Sequence, residues 1–240
     1  MGVVLVIELY NQNATDFTHH GIILHECTKA VVKEALNGDF VATIEYPITN
    51  SHRYKKLKIN KIIYIPTPRG KQPFRIYDLE KRNDRIIIEA QHTTFDIMEQ
   101  LVEPISINNK TCREALDTLF GKMKTPNSKF TWKSEITERH TYNTTEEKTF
   151  YCNLMDGKHS VIGTWEGELL RDNFGIEIKK RIGKDTNILI STSTNLKTFE
   201  EKESSRGVVT KIYGKSTFKA NKDDKEDTVI TAVAISPLRN

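Results

Sequence analysis

The sequence predicts a β-rich α+β fold, with small β-barrel or sandwich domains flanking an α+β insert. Of 240 residues, 64 are Ile, Val or Thr, against 15 Leu and 9 Ala. β-Branched side chains lose χ1 freedom on a helix and fit a pleated sheet, so this balance excludes a mostly helical protein. Short alternating runs separated by Gly, Pro and Asn turns dominate the first hundred residues, the pattern of a small barrel or sandwich. Apolar residues at helical spacing gather between 93 and 170, which marks the insert.

Val3–Leu9 is a β-branched run and reads as the first strand. Asn37-Gly38 predicts a type I′ hairpin, because both residues tolerate positive φ. Beyond it Phe40, Ala42, Ile44 and Tyr46 share one face and Val41, Thr43 and Glu45 the other, until Pro47 ends the strand. Ile59, Lys61, Ile63 and Ile65 alternate with Ile62 and Tyr64, and a turn follows at Pro66–Gly70. Phe74–Leu79 and Arg85–Ala90 form the next pair, joined by the polar 81–84 segment.

Thr93 is placed to cap a helix carrying Phe95, Met98 and Leu101, with Pro104 as its stop. Thr111-Cys112-Arg113-Glu114 is a capping box, followed by Ala115, Leu116, Leu119, Phe120 and Met123 at helical spacing. Phe130–Ile136 and Lys148–Leu154 read as strands. Ser160–Leu170 reads as a third helix, with Val161, Trp165 and Leu169 on one face. Gly163 and Gly167 on it leave room for a close neighbour.

The strand period returns with Phe174, Ile176 and Ile178. Ile188–Ser191, Val208–Tyr213 and Thr228–Ile235 are further strands, and Asn221–Asp227 is a charged turn. The expected domains are a β-barrel-like domain at 1–103, an α+β insert at 104–172 and a second β domain at 173–240. Only five residues follow the last strand, so that domain is expected to be unfinished.

Charge and cysteines bound the function. With 36 Lys+Arg against 32 Asp+Glu, the net charge of +4 is spread along the chain. The densest basic cluster, Arg53, Lys55, Lys56 and Lys58, reads as a solvated strand edge. Cys27, Cys112 and Cys152 are far apart and form no CxxC pair, so neither a disulfide framework nor a zinc site is supported. The N-terminus lacks the basic region and cleavage site of a signal peptide. No apolar stretch approaches the ~18 residues that span a membrane.

Catalytic patterns fare no better. HExxH, GxSxG and a papain-like Cys are all missing. His19, His20, His25, Glu26 and Cys27 are the nearest to a metal cluster. GIILHECT reads as a strand, however, and gives a partly buried histidine instead of two ligands on a rigid helical face. Gly214-Lys215-Ser216 mimics the end of a P-loop, but Gly207 is seven residues upstream and no helix follows, so a hairpin turn is expected. Trp132 and Trp165 read as core or interface residues, and Glu146-Glu147 and Asp223-Asp224 as solvated turns. No catalytic, cofactor or metal residue is assigned.

Several pieces, in order and spacing, resemble the tail-tip hub proteins of phages and prophages of Gram-positive bacteria. These include phage minor structural and prophage endopeptidase tail proteins. The pieces are LNGDFVATIEYP (36–47), QPFRIYDLEK (72–81), IIIEAQHTTFDIMEQLV (86–102) and TCREALDTLF (111–120), then Arg181-Ile-Gly-Lys-Asp185 and VVTKIYG (208–214). The resemblance implies a hub like that at the centre of contractile baseplates. Three subunits would form a pseudo-sixfold ring that continues the tail tube. It further implies a homotrimer in the virion tail, assembled in the bacterial cytoplasm and contacting distal tail and tape-measure proteins. Phage DNA would pass through without sequence-specific binding. No cofactor is implied, and any peptidoglycan-cleaving domain would lie C-terminal to this chain. The other functions open at this stage are a tail-associated peptidoglycan hydrolase and a receptor- or carbohydrate-binding tip module.

Overall fold

The computed structural model describes residues 6–126 and 128–184, the single positions 186, 189, 191 and 198, and the strands 211–218 and 228–235. It divides into two compact units, Met1–Asp185 and Thr186–Asn240.

The first unit contains two hydrophobic cores. One lies on a sheet of β1 (Glu8–Tyr10), β2 (Ile22–Ile23), β3 (Lys29–Glu34), β4 (Phe40–Pro47), β5 (Ile62–Thr67), β6 (Gly70–Lys81) and β7 (Arg85–His92). The order is β2-β1-β5-β6-β7-β4-β3, and every neighbouring pair is antiparallel. Alternation is the physical cause. Phe40, Ala42, Ile44 and Tyr46 are buried on one face of β4, and Ile86, Ile88 and Ala90 on one face of β7. The β3–β4 turn is not type I′. Asn37 takes positive φ (51°), but Gly38 is not among the residues with positive φ. The turn instead closes through bonds from Gly38 N to Ala35 O (3.1 Å) and Ala35 N to Asp39 O (2.8 Å). Arg53–Lys56 is a 3-10 turn and not a strand edge.

The second core is built from shorter pieces. They are β8 (Leu101–Val102), β9 (Ser106–Lys110), α1 (Cys112–Gly121), β10 (Thr131–Ser134), β11 (His140–Asn143) and β12 (Lys148–Thr149). Then come α2 (Phe150–Met155), α3 (Val161–Trp165), β13 (Glu168–Asp172) and β14 (Gly175–Lys179). The capping box at α1 is present: Thr111 Oγ1 accepts from Glu114 N, and Glu114 Oε2 accepts from Thr111 N at 2.9 Å. Three expectations need correction here. The segment after Thr93 is a 3-10 turn, Thr93–Ile97, capped by the His92 ring, and Leu101 belongs to β8. Lys148–Leu154 bends after two residues from strand into α2, because Thr149 caps the helix through Cys152 N. The third helix ends at Trp165; Glu166 takes φ 50°, and Glu168–Asp172 is a strand. Gly167 still permits a close neighbour, since a Cβ there would lie 2.3 Å from Ile178 Cγ2. The expected 172/173 boundary falls inside the β13–β14 hairpin, which pairs from Glu168↔Lys179 to Asp172↔Gly175.

The second unit contains a hairpin of β15 (Lys211–Phe218) and β16 (Thr228–Ile235), in register from Lys211↔Ile235 to Phe218↔Thr228. Gly214-Lys215-Ser216 therefore lies within a paired strand, not in a turn. Val3–Leu5, Ile188, Ile190 and Asn221–Asp227 lie outside the described residues. Among the described residues, no helix is long and apolar enough to cross a membrane.

Candidate functional site: a polar seam between two cores

In the first unit, side chains from the seven-stranded sheet grip the elements of the second core. Asn37 sits in the β3–β4 turn in the left-handed region that Asn tolerates well. Its Nδ2 donates to Gly167 O (3.0 Å), and its Oδ1 accepts from Leu169 N (2.7 Å). One residue later, Gly38 O accepts from Arg171 Nη2 at 2.8 Å. Arg171 is 1% exposed, and its guanidinium lies 5.0 Å from the Phe95 ring centroid. Burial pushes its pKa down to about 10.

Gln72 on β6 makes the second grip. Its Nε2 donates to Asp172 Oδ1 (2.9 Å), while its Oε1 accepts from Asn173 N (2.9 Å) and lies 3.1 Å from His92 Nε2. Gln72 Oε1 can only accept, so His92 carries its proton on Nε2. Its Nδ1 is then free to accept from Thr94 Oγ1 (2.9 Å) and Thr94 N (3.4 Å). Burial between the Phe40 and Phe74 rings holds this imidazole neutral, well below the ordinary value of 6.5. Thr93 Oγ1 donates to Asn173 O at 2.8 Å.

The third grip is ionic. Arg75 meets Asp96 through Nε (2.6 Å) and Nη2 (2.7 Å), a bidentate pair. Lys129 reaches the same carboxylate at 3.0 Å. Phe17 stacks on Tyr64 of β5 and on Phe174, tying the 11–21 loop to the sheet and to the second core. At the base of that loop, burial would raise the Glu8 pKa. Bonds from Lys71 Nζ (2.7 Å), Tyr10 Oη (2.6 Å) and Gly21 N (3.2 Å) outweigh it and hold the carboxyl at about 2.

The residues weighed from sequence lie elsewhere. His25 and Glu26 form a turn after β2, so His25 and Cys27 do not share a strand face. The Glu26 carboxylate is taken up by Tyr46, Thr49 and Ser51 hydroxyls. Cys27 Sγ lies 3.2 Å from Lys29 O. Trp165 is buried with its Nε1 donating to Glu138 O (3.1 Å); Trp132 stacks on Phe120 at 3.9 Å and donates to Asp117. Glu147 pairs with Lys124, and Asp223-Asp224 lies outside the described residues. Among the described residues, no group of three or more His, Cys, Asp or Glu is placed to hold a metal ion. What this arrangement does is mechanical: it joins two cores through directional bonds.

Sequence reasoning missed the seam. A signal was available, because Gln72, His92 and Arg171 share parity with the apolar residues Phe74, Ala90 and Leu169 of their own strands. A polar side chain at an inward position needs a buried partner.

No family model matches the sequence, and no curated protein matches it. Solved structures do. Prophage tail protein gp18 of Listeria monocytogenes EGD-e aligns over 97% of this chain and 68% of its own, at 17% identity and TM-score 0.62. The tail protein of Neisseria meningitidis MC58 aligns over 98% and 68%, at 8% identity and TM-score 0.58. The 43 kDa tail protein of prophage MuSo2 from Shewanella oneidensis aligns over 98% and 65%, at 14% identity and TM-score 0.50. The chain therefore has the fold seen in these tail proteins, and it spans about two thirds of their length.

Proposed function

We propose that the protein is a non-enzymatic structural hub of a bacteriophage tail tip or baseplate. Three copies form a ring that continues the tail tube, carries the distal tip and contacts the distal tail and tape-measure proteins. Phage DNA passes through it without sequence-specific binding. The ring is part of the virion and assembles in the host cytoplasm. Two β modules per chain, one within 1–103 and one in the chain after the β13–β14 hairpin, supply six tube-like units from a trimer, and the elements of the second core decorate the outside. Peptidoglycan cleavage, where a phage has it, belongs to a separate C-terminal domain.

The supporting observation is the fold shared with prophage tail protein gp18 over 97% of the chain. The seam suits the role, since a ring under ejection forces needs cores that do not slide past each other. Immunogold labelling of purified virions is expected to mark the distal end of the tail on its axis. A zymogram of the chain alone on peptidoglycan is expected to stay dark. Labelling off the axis, or a lytic band, overturns the proposal.

A further inference from the structure

The densest basic stretch of the sequence has no counter-charge in its own fold. No carboxylate occurs between Arg53 and Lys61. Among the described residues, Lys55, Lys56, Lys58 and Lys61 make no ion pair. The 3-10 turn Arg53–Lys56 carries the first two, and a turn in which Lys61 N donates to Lys58 O (3.2 Å) carries the others. Leu57, between the two turns, is buried in the first core, which pins them while Lys55, Lys56 and Lys58 stay exposed.

Two hollows adjoin these lysines. One, of about 450 Å³, is lined by Lys58 and Lys61 together with Gln12 and Asn13 of the 11–21 loop. The other, of about 460 Å³, shares Gln12 and Asn13 and adds Asn60 and Arg75. The shared wall makes them one groove. A single guanidinium fixes both of its sides: Arg75 Nη1 donates to Gln12 O (3.0 Å) and to Asn60 O (2.7 Å), while Asp96 holds the rest of the group. Among the described residues, the side-chain amides of Gln12, Asn13 and Asn60 have no hydrogen-bond partner. None of the described residues lining the groove is acidic or aromatic, and Ile59 is the one apolar residue among them.

We propose that this groove binds the sugar–phosphate backbone of a DNA duplex without regard to sequence. Lysine ammonium groups and Asn and Gln amides are among the groups that contact phosphate and sugar. A phosphate at Lys58 and Lys61 meets cations that no carboxylate of the fold neutralises, and its binding releases condensed counterions. With no aromatic in the described lining, the groove offers no platform on which a base stacks. An acidic protein segment would meet the same lysines, but protein interfaces centre on aromatic and apolar anchors, and Ile59 alone is a poor one. The site stands on the groove itself and goes beyond the hub proposal, which asks only that DNA pass.

Fluorescence anisotropy of a labelled DNA duplex with the purified full chain tests this, and its failure leaves the hub proposal standing. Binding is expected at about 50 mM salt and weakens steeply as salt rises. Lys58→Gln with Lys61→Gln is expected to weaken it at least tenfold and to lower the slope of log affinity against log salt by about 2. Lys110→Gln with Lys122→Gln, whose lysines pair with Glu114 and Glu103, is expected to leave affinity within about twofold. Two duplexes of unrelated sequence should bind alike. If circular dichroism shows the first variant unfolded, acetylation of the unaltered chain decides: duplex is expected to protect Lys58 and Lys61 but not Lys110 or Lys122. No binding, equal loss in both variants, equal acetylation with and without duplex, or a strong preference for one sequence overturns the proposal. So does polyglutamate displacing the duplex at matched charge, which would assign the groove to an acidic protein.

Discussion

The two cores of the first unit solve the same burial problem differently. The sheet core uses long strands, eight residues in β4 and β7 and twelve in β6, whose alternation sends apolar side chains to one face. The second core is assembled from helices of ten, six and five residues and strands of two to five. None of its short helices has the length that would stabilise it alone. The face that each strand buries is locally encoded in the first case, whereas the short elements of the second core depend on tertiary contacts. The difference teaches where mutational damage should stay local and where it should spread.

Truncation of the largest buried side chains should have the greatest effect. Phe74→Ala in the sheet core and Trp165→Ala in the second core are each expected to cost about 3–5 kcal/mol in chemical denaturation. Both side chains are 0–1% exposed. If the seam joins the cores, fluorescence and far-UV circular dichroism report one shared transition for both variants. Separate transitions would break the comparison at its root.

Asn37→Ala comes next, at about 2–3 kcal/mol. It strands Gly167 O and Leu169 N and puts Ala at positive φ. Urea unfolding checks the cost, and a loss near zero would show that the turn does not hold the second core.

A pH effect follows from His92. Its folded pKa lies well below 6.5, so the unfolded chain binds the proton that the buried ring refuses. The stabilisation is fully present above pH 6.5 and declines as pH falls below it, by up to about 1.4 kcal/mol per pH unit. His92→Gln should flatten that part of a stability profile measured between pH 8 and pH 5. The smallest effect expected is a gain: Gly121→Ala, at the end of α1 with open space around it, should add about 0.5–1 kcal/mol in thermal unfolding.

Legibility tracked how local each feature is. Alternation at Phe40–Tyr46 and Arg85–Ala90, together with the Thr111 capping box, depends on neighbours in sequence, and each was read correctly. Lys148–Leu154 and Ser160–Leu170 were read as single elements. Each switches type midway, where a cap at Thr149 or a positive φ at Glu166 overrides the run of apolar residues. Pairings such as Asn37 with Leu169 join residues 132 apart, beyond the reach of local pattern. The glycine at 167 was seen as a close approach, but only the fold supplies Ile178 as the neighbour. As for the site, composition and motifs gave no catalytic assignment, and the polar residues of the seam went unread.

Averaged electron cryomicroscopy of intact tail tips tests the central claim most directly. A hub predicts three copies around the tail axis, each fitting the 6–184 fold as one rigid body beside the tube lumen. Density for the chain away from the axis, or in a copy number that is not three, would contradict it.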